Sequence, residues 1–460
     1  MYRKLKAPMN IQFEITSICN ERCLHCYNYW RSASDLADNT NMTKEIFDKC
    51  LNEIIENQVL HVIFTGGEPF FNFDVLLHGI KRATKAKLSV SCNSNLLIAN
   101  DEKLHLLKEA GLPHILTSLN SYNPETNDKI VSHKGSFEKA TKGISLAINT
   151  GIKISTNMII SKYNINDIYE TGKLSYKLGV SKFHVTRVIP PKYITGKSKK
   201  NFTIGMNELK IILDQIVRIR KDFPIDVQTL IPIPLCALGD LNKYSNMVIR
   251  SCAAGKRSMS IDCHGNAHAC WHMVKSYRNI IQSGLKKAWD DMQEWRSGEL
   301  IPESCLNCSY LPLCGSGCRL SGMEFNGTIS GPDNLRKGWK NITQPYSGYI
   351  GVDDMNVSFD KILYLYKESL TSDLYQSLKN DKYYVNKNIR IRQENGFGVI
   401  NLIAGTSFFL EQKYVDLIYS LQKIKYFNLH DIGSEFINIL AYFVLKKVII
   451  KDNNNYHNKS

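Results

Sequence analysis

Three cysteine residues near the start of the chain have a spacing that suits an iron–sulfur cluster. Cys19, Cys23 and Cys26 follow the pattern C-x3-C-x2-C. Three thiolates can hold three irons of a cubic cluster and leave the fourth iron open to another ligand. Zinc is the alternative, but zinc pairs usually read C-x2-C with a second pair about 12–20 residues later. The next cysteine here is Cys50, which stands alone. The spacing therefore favours a cluster with an open coordination position.

A glycine-rich motif follows shortly afterwards. Residues 61–64 form a short apolar run that reads as a buried strand, and Thr65-Gly66-Gly67-Glu68-Pro69 comes directly after it. Glycines at a strand end allow the backbone to pass close to a ligand. We expect the carboxylate of Glu68 to bind an ammonium group. Alone, the motif is typical of ordinary turns; one β-α unit after the cysteines, it becomes informative.

Together, the two motifs resemble those of radical S-adenosylmethionine (radical SAM) enzymes. The resemblance implies that Cys19, Cys23 and Cys26 ligate a [4Fe–4S] cluster whose open iron binds the amino and carboxylate groups of SAM. It also implies that Gly66, Gly67 and Glu68 hold the amino group. SAM would be cleaved reductively to methionine and a 5′-deoxyadenosyl radical that removes hydrogen from a substrate. The protein would orient the cofactor and exclude water.

Composition narrows the class of protein. At 460 residues the chain can hold two or three domains, and its 43% hydrophobic and 22% charged content is ordinary for a globular protein. Residues 1–6 lack the apolar region of a secretory signal, and no stretch approaches the roughly 20 apolar residues of a membrane helix. We therefore expect a cytoplasmic protein without a membrane partner.

Charge and cysteine usage add two further expectations. The net charge is +15, but the lysines are spread along the chain, so we expect no nucleic-acid partner. Thirteen cysteines in a chain of this kind favour metal ligation over disulfides. Cys50 and Cys92 read as small buried hydrophobes instead.

Short apolar runs alternate with helix-length segments from about residue 11 to residue 220. The predicted strands are Ile11–Ile15, His61–Thr65, Leu88–Cys92, His114–Leu119, Ile152–Ile159 and Lys182–Arg187. The predicted helices are Lys44–Glu56, Phe73–Thr84, Glu102–Ala110, Ser136–Asn149 and Asn166–Leu178. The expected N-caps are Thr43, Asp101 and Ser136, and the expected helix stops are Gly111, Gly151 and Gly179. Six such units predict an α/β fold, a partial (β/α)6 TIM-like barrel.

Several strand ends match the family's SAM-binding positions. Relatives show Thr-Asn-Gly-Thr-Leu-Leu at residues 92–97 and Ser-Leu-Asp-Gly at residues 118–121 of this chain. The resemblance assigns Asn93 to the methionine part of SAM, Ser118 to the ribose and His25 to a site near the adenine. Each side chain could instead cap a helix or a loop. The arginine of the relatives is replaced by Val131, so other residues are candidates for the SAM carboxylate: Lys129, Lys134 and Arg187.

A second concentration of cysteines covers residues 252–318. It reads Cys252-x12-Gly265-x4-Cys270 and then Cys305-x2-Cys308-x5-Cys314-x3-Cys318. By itself this pattern also suits two zinc sites. Behind a radical SAM region it resembles the SPASM domain, which holds auxiliary iron–sulfur clusters. The resemblance assigns Cys252, Cys270 and Cys318 to the first auxiliary cluster, and Cys305, Cys308 and Cys314 to the second.

The pattern lacks one cysteine of the family. Relatives carry another cysteine after the C-x3-C, whereas none follows Cys318. Asp333 lies near the expected place and is our candidate for the fourth ligand of the second cluster; an open iron or a lost cluster are the alternatives. Cys263 is our candidate to complete the first cluster, and Cys236 is a weaker candidate for the same place.

The last third of the chain changes character after a polar connector over residues 327–348. Residues 389–392 and 397–400 alternate as strands around the hairpin signal Asn395-Gly396, and residues 401–406 extend the second strand or begin a third. Helical patterns cover 411–423, 429–434 and 435–446, and an apolar run at 448–450 closes the region. The order resembles a winged-helix, PqqD-like domain that recognises the leader of a precursor peptide. A structural cap is the alternative.

A leader would add to an exposed strand edge, and Arg390, Arg392 and Lys413 would suit an acidic one. The predicted domains are residues 8–220 (radical SAM), 221–335 (SPASM) and 345–452 (PqqD-like), with a disordered tail at 453–460. The expected function is oxidative modification of a ribosomally made precursor peptide through a C–C, C–S or C–O cross-link, with flavodoxin or ferredoxin as reducing partner.

Two other functions stay open. One is a SPASM oxidase of another substrate, such as a sulfatase maturase or a tetrapyrrole decarboxylase; the other is a non-catalytic scaffold that binds iron–sulfur clusters or zinc. Sulfatase maturases place an aspartate directly after the second auxiliary cysteine, where this chain has Trp271. The sequence identifies no catalytic base.

Overall fold

The computed structural model describes residues 2–28, 39–191, 194–248, 250–343, 372–402 and 407–452. The chain forms two compact units, Met1–Tyr346 and Ser347–Ser460, called here the N-terminal and C-terminal units. Their boundary falls in residues 344–371, outside the described residues. The end of the predicted connector, the start of the predicted PqqD-like domain and the predicted disordered tail at 453–460 also lie outside them.

A nine-stranded sheet forms the centre of the N-terminal unit. Its strands are β1 (Asn10–Glu14), β2 (His61–Thr65), β3 (Ser89–Asn93), β4 (His114–Ser118), β5 (Lys153–Ile160), β6 (Lys182–Arg187), β7 (Asp226–Gln228), β8 (Ser258–Ile261) and β9 (Ala267–His268). They lie in the order β7-β6-β5-β4-β3-β2-β1-β8-β9, and every neighbouring pair is parallel except β8 and β9. Within the described residues the sheet is open, with β7 and β9 at its edges. The predicted α/β core is confirmed.

Helices alternate with these strands. They are α1 (Lys44–Glu56), α2 (Phe73–Lys85), α3 (Asp101–Glu109), α4 (Pro124–Val131), α5 (Ser136–Asn149), α6 (Ile168–Lys177), α7 (Gly196–Phe202), α8 (Met206–Asp222) and α9 (Leu241–Val248). The six predicted strands and five predicted helices of this region are all present, with bounds that differ by at most two residues. Helix α4 was not predicted.

Helix ends follow the expected chemistry with two exceptions. Thr43 caps α1 by accepting a hydrogen bond from the Ile46 amide, and the three predicted helix-stop glycines have positive φ. The cap of α3, however, is Asn100 and not Asp101, because its side chain accepts from the Lys103 amide. Ser136 is the first residue of α5 and not its cap; its hydroxyl bonds elsewhere.

The two faces of the sheet differ. On one face, the stacked rings of Phe13 and Phe47 lie 5.0 Å apart, and Phe64 lies 6.1 Å from Phe47. All three side chains are fully buried, and burying each contributes about 1.5–3 kcal/mol. This packing joins β1, β2 and α1, so the loops that follow β1 and β2 leave the sheet side by side.

The opposite face is polar. Nδ1 and Nε2 of His61 lie 2.9 and 3.0 Å from the hydroxyls of Ser89 and Ser91 on β3, and Nε2 of His114 lies 2.7 Å from the hydroxyl of Ser155 on β5. Burial lowers the pKa of both histidines to about 4, so they are neutral at pH 7. These two histidines therefore offer neutral hydrogen-bonding groups on this face.

The cysteine-rich segment has short elements. Its helices are α10 (Ile280–Ser283), α11 (Leu285–Asp291), α12 (Glu294–Ser297), α13 (Leu311–Cys314) and α14 (Arg319–Asn326). Short 3-10 helices cover Leu235–Ala237, Glu303–Cys305 and Trp339–Asn341. Loops carry most of its cysteines, so tertiary hydrogen bonds must fix their positions.

The C-terminal unit contains two small antiparallel sheets and four helices among its described residues. The strands are β10 (Tyr383–Val385), β11 (Ile389–Gln393), β12 (Phe397–Leu402), β13 (Ser407–Glu411) and β14 (Ile449–Lys451). The helices are α15 (Ser372–Asn380), α16 (Gln412–Leu421), α17 (Leu429–Ile432) and α18 (Ile437–Leu445). Strand β10 pairs with β14, and β12 lies between β11 and β13.

The hairpin prediction in this unit is confirmed. Gly396 has φ of +78° between β11 and β12, whose register pairs Gln393 with Gly398. A third strand, β13, follows residues 403–406, which lie outside the described residues. One expectation was wrong: Arg392 is not available to an acidic leader, because its guanidinium is buried and bonds Glu394 at 2.7 Å.

Candidate iron–sulfur and SAM site

The three N-terminal cysteines lie on one loop after β1. The thiol of Cys23 is close enough to Cys19 and Cys26 for electrostatic interaction with both. Backbone bonds hold this loop against α4: Arg22 N donates to the Val131 carbonyl at 3.1 Å, and Leu24 N donates to the Ile130 carbonyl at 2.9 Å. Val131, which stands where relatives have an arginine, is therefore part of the support beneath the cysteines.

The glycine-rich motif runs along the cysteine loop. The Gly67 amide donates to Thr16 O and the Glu68 amide to Ile18 O, each at 2.7 Å. A Cβ atom on Gly66 would lie 2.3 Å from Thr16 O, and one on Gly67 would lie 1.9 Å from Ile18 O. We expected the glycines to admit a ligand; in the structure they admit the backbone of the cysteine loop. The cysteine motif and the glycine-rich motif thus lie on two loops that are joined by backbone hydrogen bonds, called here the loop pair.

Glu68 does not offer its carboxylate to a ligand, contrary to our expectation. The side chain is fully buried and accepts from the Ser94 hydroxyl at 2.7 Å, from the Asn95 amide at 2.7 Å and from the Phe70 amide at 3.1 Å. Burial raises the pKa of Glu68 to about 7, although these donors act in the opposite direction. The carboxylate joins the loop after β2 to the loop after β3.

Other groups at the strand ends remain available. The carbonyl oxygens of Gly66 and Gly67 accept no hydrogen bond within the described part of the chain. The half-buried side chains of Asn93 and Ser118, at the ends of β3 and β4, also have no hydrogen-bond partner there. Backbone carbonyls, an amide and a hydroxyl are the groups that could bind the amino, carboxylate and ribose parts of SAM.

His25 belongs to the cysteine loop and lies near His272, in the segment after Cys270. Burial lowers its pKa to about 4, helped by the nearby His272, and its Nδ1 is buried without a hydrogen-bond partner. The ring of His272 stacks on Tyr27 at 4.9 Å. A buried, unpartnered ring nitrogen is costly, so this atom is suited to a bound ligand.

Sequence reasoning missed a carboxylate beside the cysteines. Glu21 accepts from the Ser136 hydroxyl at 2.7 Å and from Asn95 Nδ2 at 3.3 Å, and the same Nδ2 donates to Asn20 Oδ1 at 2.7 Å. Burial raises the pKa of Glu21. Its position inside the C-x3-C spacing was the only signal available.

The predicted SAM-carboxylate candidates differ in availability. Lys129 lies over the ring of Tyr163 at 5.9 Å, and Lys134 is exposed. The guanidinium of Arg187 is buried and forms two bonds to the carboxylate of Asp333, so Arg187 is withdrawn from that role.

The later cysteines form two groups. Cys270 interacts electrostatically with Cys252 and Cys318, which matches the set that the resemblance assigns to a first auxiliary cluster. Cys305, Cys308 and Cys314, assigned to a second, line one pocket. Among the described residues no three His, Cys, Asp or Glu side chains converge closely enough for a single metal ion.

Asp333 is not placed as a cluster ligand. Its carboxylate accepts from both Nη atoms of Arg187, from the Cys318 amide at 2.9 Å and from the Leu335 amide at 3.0 Å. These four bonds occupy both oxygens of a fully buried side chain. The candidate was wrong because the carboxylate serves to fix the Cys318 loop against β6.

Cys263, our candidate to complete the first cluster, is buried in the turn of the β8–β9 hairpin, two residues past Ile261. Cys270 lies at the other end of the hairpin, two residues past the end of β9. The assignment of Cys263 to the first cluster stays a prediction. Cys236, the weaker candidate for the first cluster, lines the cavity of the second group instead.

With a parallel α/β sheet whose first strand leads into a three-cysteine loop, the chain has the architecture of a cluster-binding α/β enzyme. Residues 13–174 match the family described as the Radical SAM superfamily. These residues are therefore a radical SAM domain. Solved structures of the same fold include SuiB bound to S-adenosylmethionine.

Curated relatives cover most of the chain. It is 24% identical over 343 residues to the AdoMet-dependent heme synthase of Methanosarcina barkeri, a match that spans 71% of this chain and 95% of the relative. It is 22% identical over 347 residues to the PqqA peptide cyclase of Rhizobium meliloti, spanning 72% of this chain and 87% of the relative.

Among solved structures, Streptococcus suis SuiB bound to the precursor peptide SuiA matches with a TM-score of 0.59 and 17% identity, covering 72% of this chain and 76% of SuiB. This likeness supports the fold. Within the described part of the chain, no helix has the length and apolar character needed to span a bilayer.

Proposed function

We propose that this protein is a radical SAM enzyme that oxidatively modifies a ribosomally made precursor peptide. The observation that carries the proposal is the loop pair of the radical SAM domain, in which the three cysteines and the Gly-Gly-Glu segment are joined by backbone hydrogen bonds. When bound, the cluster and SAM would supply a 5′-deoxyadenosyl radical that abstracts hydrogen from the substrate.

The chain's own residues would bind, orient and shield that chemistry. Cys19, Cys23 and Cys26 would hold the cluster, and the free carbonyls of Gly66 and Gly67 would accept from the SAM amino group. Asn93 and Ser118 would bind the methionine and ribose parts, and the residues around His25 would exclude water on the adenine side. The polar face of the sheet provides donors and acceptors for a peptide backbone.

A peptide substrate is favoured over a tetrapyrrole by two observations. PqqA peptide cyclase and SuiB are named for peptide substrates or crystallised with one. The chain also has a C-terminal unit with a three-stranded antiparallel sheet followed by three helices, an order that suits a leader-binding, PqqD-like domain. The heme synthase match keeps the tetrapyrrole reading as the second candidate.

We further propose that the leader adds a strand to β11 or β13, the two edges of that sheet within the described residues. Edge strands present a row of backbone donors and acceptors, and β-augmentation uses them. Auxiliary clusters on the two later cysteine groups, a flavodoxin- or ferredoxin-like reductant and a cytoplasmic location complete the proposal. An oxidative cross-link removes two hydrogens, so an auxiliary cluster could take up the second electron.

The test is anaerobic co-expression with the short peptides encoded beside the gene. Mass loss of two hydrogens in one peptide is expected, and the Cys19→Ala/Cys23→Ala/Cys26→Ala variant should abolish it. If the purified protein cleaves SAM but no neighbouring peptide changes mass, the peptide assignment is wrong and a coproporphyrin-type substrate should be tried. If SAM is not cleaved at all by the loaded protein, the enzyme assignment itself fails.

A further inference from the structure

The second cysteine group has a fourth thiol that the sequence pattern does not reveal. Cys236 lines the same pocket as Cys305, Cys308 and Cys314. We propose that Cys236 supplies the fourth thiolate of the second auxiliary cluster, in place of the cysteine that the chain lacks after Cys318. The inference deepens the proposed function, because it rests on the presence of auxiliary clusters.

The fold explains how a residue upstream of the motif reaches this position. Cys236 lies on the 3-10 helix Leu235–Ala237, in the segment that follows β7. Its carbonyl accepts from Asn341 Nδ2 at 2.8 Å, and Gly239 O accepts from the Thr343 amide at 2.9 Å. The segment thus packs against residues 341–343, downstream of the last cysteine. Cys236 occupies the region where a cysteine following Cys318 in sequence would arrive.

Two backbone amides point at sulfur atoms in this cavity. The Leu235 amide lies 3.4 Å from the Sγ of Cys314, and the Lys337 amide lies 3.3 Å from the Sγ of Cys236. Hydrogen bonds of this kind stabilise thiolates and tune iron–sulfur clusters. Because each amide comes from a segment other than the C-x2-C-x5-C motif, the surrounding fold and not the motif alone builds the site.

The assignment distinguishes the two auxiliary clusters. With Cys236, the second cluster has four thiolates and no open iron, so it is suited to electron transfer. The resemblance assigns three thiolates to the first, Cys252, Cys270 and Cys318, with Cys263 as the candidate for a fourth. Coordination requires only that each thiol lose its proton as the sulfur binds iron; no electron is transferred. With four thiolates, the second cluster has no position at which a substrate could coordinate.

The test uses the full chain with the three N-terminal cysteines replaced by alanine, reconstituted anaerobically with iron and sulfide. About eight irons should bind, since each cubic cluster holds about four. Adding Cys236→Ala should remove between about one and four irons and produce the EPR signal of a three-iron cluster after oxidation. Cys50→Ala is the matched control, because Cys50 is a buried residue of α1 outside the cysteine groups, and it should leave iron content and spectra unchanged.

Full iron with an unchanged spectrum in the Cys236→Ala protein would overturn the inference, as would an equal loss of iron in Cys50→Ala. If the alanine protein is insoluble, Cys236→Ser should keep the irons but shift the reduction potential of one cluster; an unshifted potential counts against the assignment. Absence of iron from the triple variant before any further change would contradict the auxiliary clusters themselves, whereas iron that is indifferent to Cys236 contradicts this inference alone.

Discussion

Replacing Glu68 by glutamine tests whether this residue anchors the loops or binds the cofactor. The carboxylate has two acceptor oxygens, whereas the glutamine amide has one acceptor oxygen and one NH2 group. In Glu68→Gln the NH2 group must face either the Asn95 amide or the pair formed by the Ser94 hydroxyl and the Phe70 amide. We therefore expect one side of this connection to break while the volume of the side chain is kept.

The size of the effect follows from the bonds that are lost. At pH 8, above the pKa of about 7 that burial gives Glu68, the carboxylate is charged, and a hydrogen bond to a charged group contributes about 1.5–3 kcal/mol. A change of about 1.4 kcal/mol corresponds to a factor of ten. Exchange of the Asn95 or the Phe70 amide with deuterium should therefore become roughly 10- to 100-fold faster in Glu68→Gln, because local opening of these loops costs less free energy.

The assay is hydrogen–deuterium exchange of the protein without SAM, followed in overlapping peptides that contain residues 70 and 95. Glu45→Gln is the matched control, since Glu45 is an exposed residue of α1 that pairs only with Lys49, at 2.7 Å. Unchanged exchange at both amides, together with loss of SAM binding, would refute the structural role and restore the direct contact with the SAM amino group that the sequence suggested.

Three further outcomes are expected. Gly67→Ala should prevent loading of the N-terminal cluster, because its Cβ would lie 1.9 Å from a carbonyl of the cysteine loop. The iron content should fall by about four per chain. Gly205→Ala is the control and should keep the iron content, because only a flexible carboxylate lies near that Cβ. Asp333→Ala leaves the Arg187 guanidinium buried without its partner and should lower the free energy of unfolding in urea by about 3–5 kcal/mol; an Arg187→Met/Asp333→Ala double variant that is no more stable than Asp333→Ala would contradict this reasoning. Burial lowers the pKa of His61 to about 4, so its contribution to stability is present above pH 6.5 and is lost as the pH falls towards 4. The loss amounts to about 3 kcal/mol. His61→Gln should therefore reduce the fall in melting temperature over that pH range, whereas His105→Gln, at an exposed position of α3, should not.

Much of the fold could be predicted from local patterns. The alternation of short apolar runs with amphipathic segments and stop glycines, such as Gly111 and Gly151, is a property of neighbouring residues, and it was sufficient to locate the core strands and helices. The hairpin at Asn395-Gly396 could be predicted for the same reason, since two residues determine the turn. Helix α4 was missed because its apolar residues are few, and the N-caps of α3 and α5 were displaced by one residue.

The candidate site divides in a similar way. Cys19, Cys23 and Cys26 lie within eight residues, so a single loop can bring them together and their spacing alone is informative. Glu68 was identified as important from its motif, but the role predicted for it differs from the one seen in the structure. The sequence does not show that Ser94 and Asn95, in the loop after β3, approach its carboxylate. Proximity in sequence can show that residues lie close together. It cannot show which of their hydrogen-bonding groups are already paired with other residues.

The sequence by itself thus determined the radical SAM domain, the parallel sheet and the presence of a second cysteine-rich region, because each depends on short-range spacing. Only the tertiary structure decided which cysteines share a site and which carboxylate is already occupied. Arg187 and Asp333 are 146 residues apart and form a buried ion pair. Cys236 lies far upstream of Cys305, Cys308 and Cys314 in sequence but lines the same pocket. Such contacts arise when segments that are distant in sequence pack together, and the order of residues along the chain does not show how close those segments lie in space.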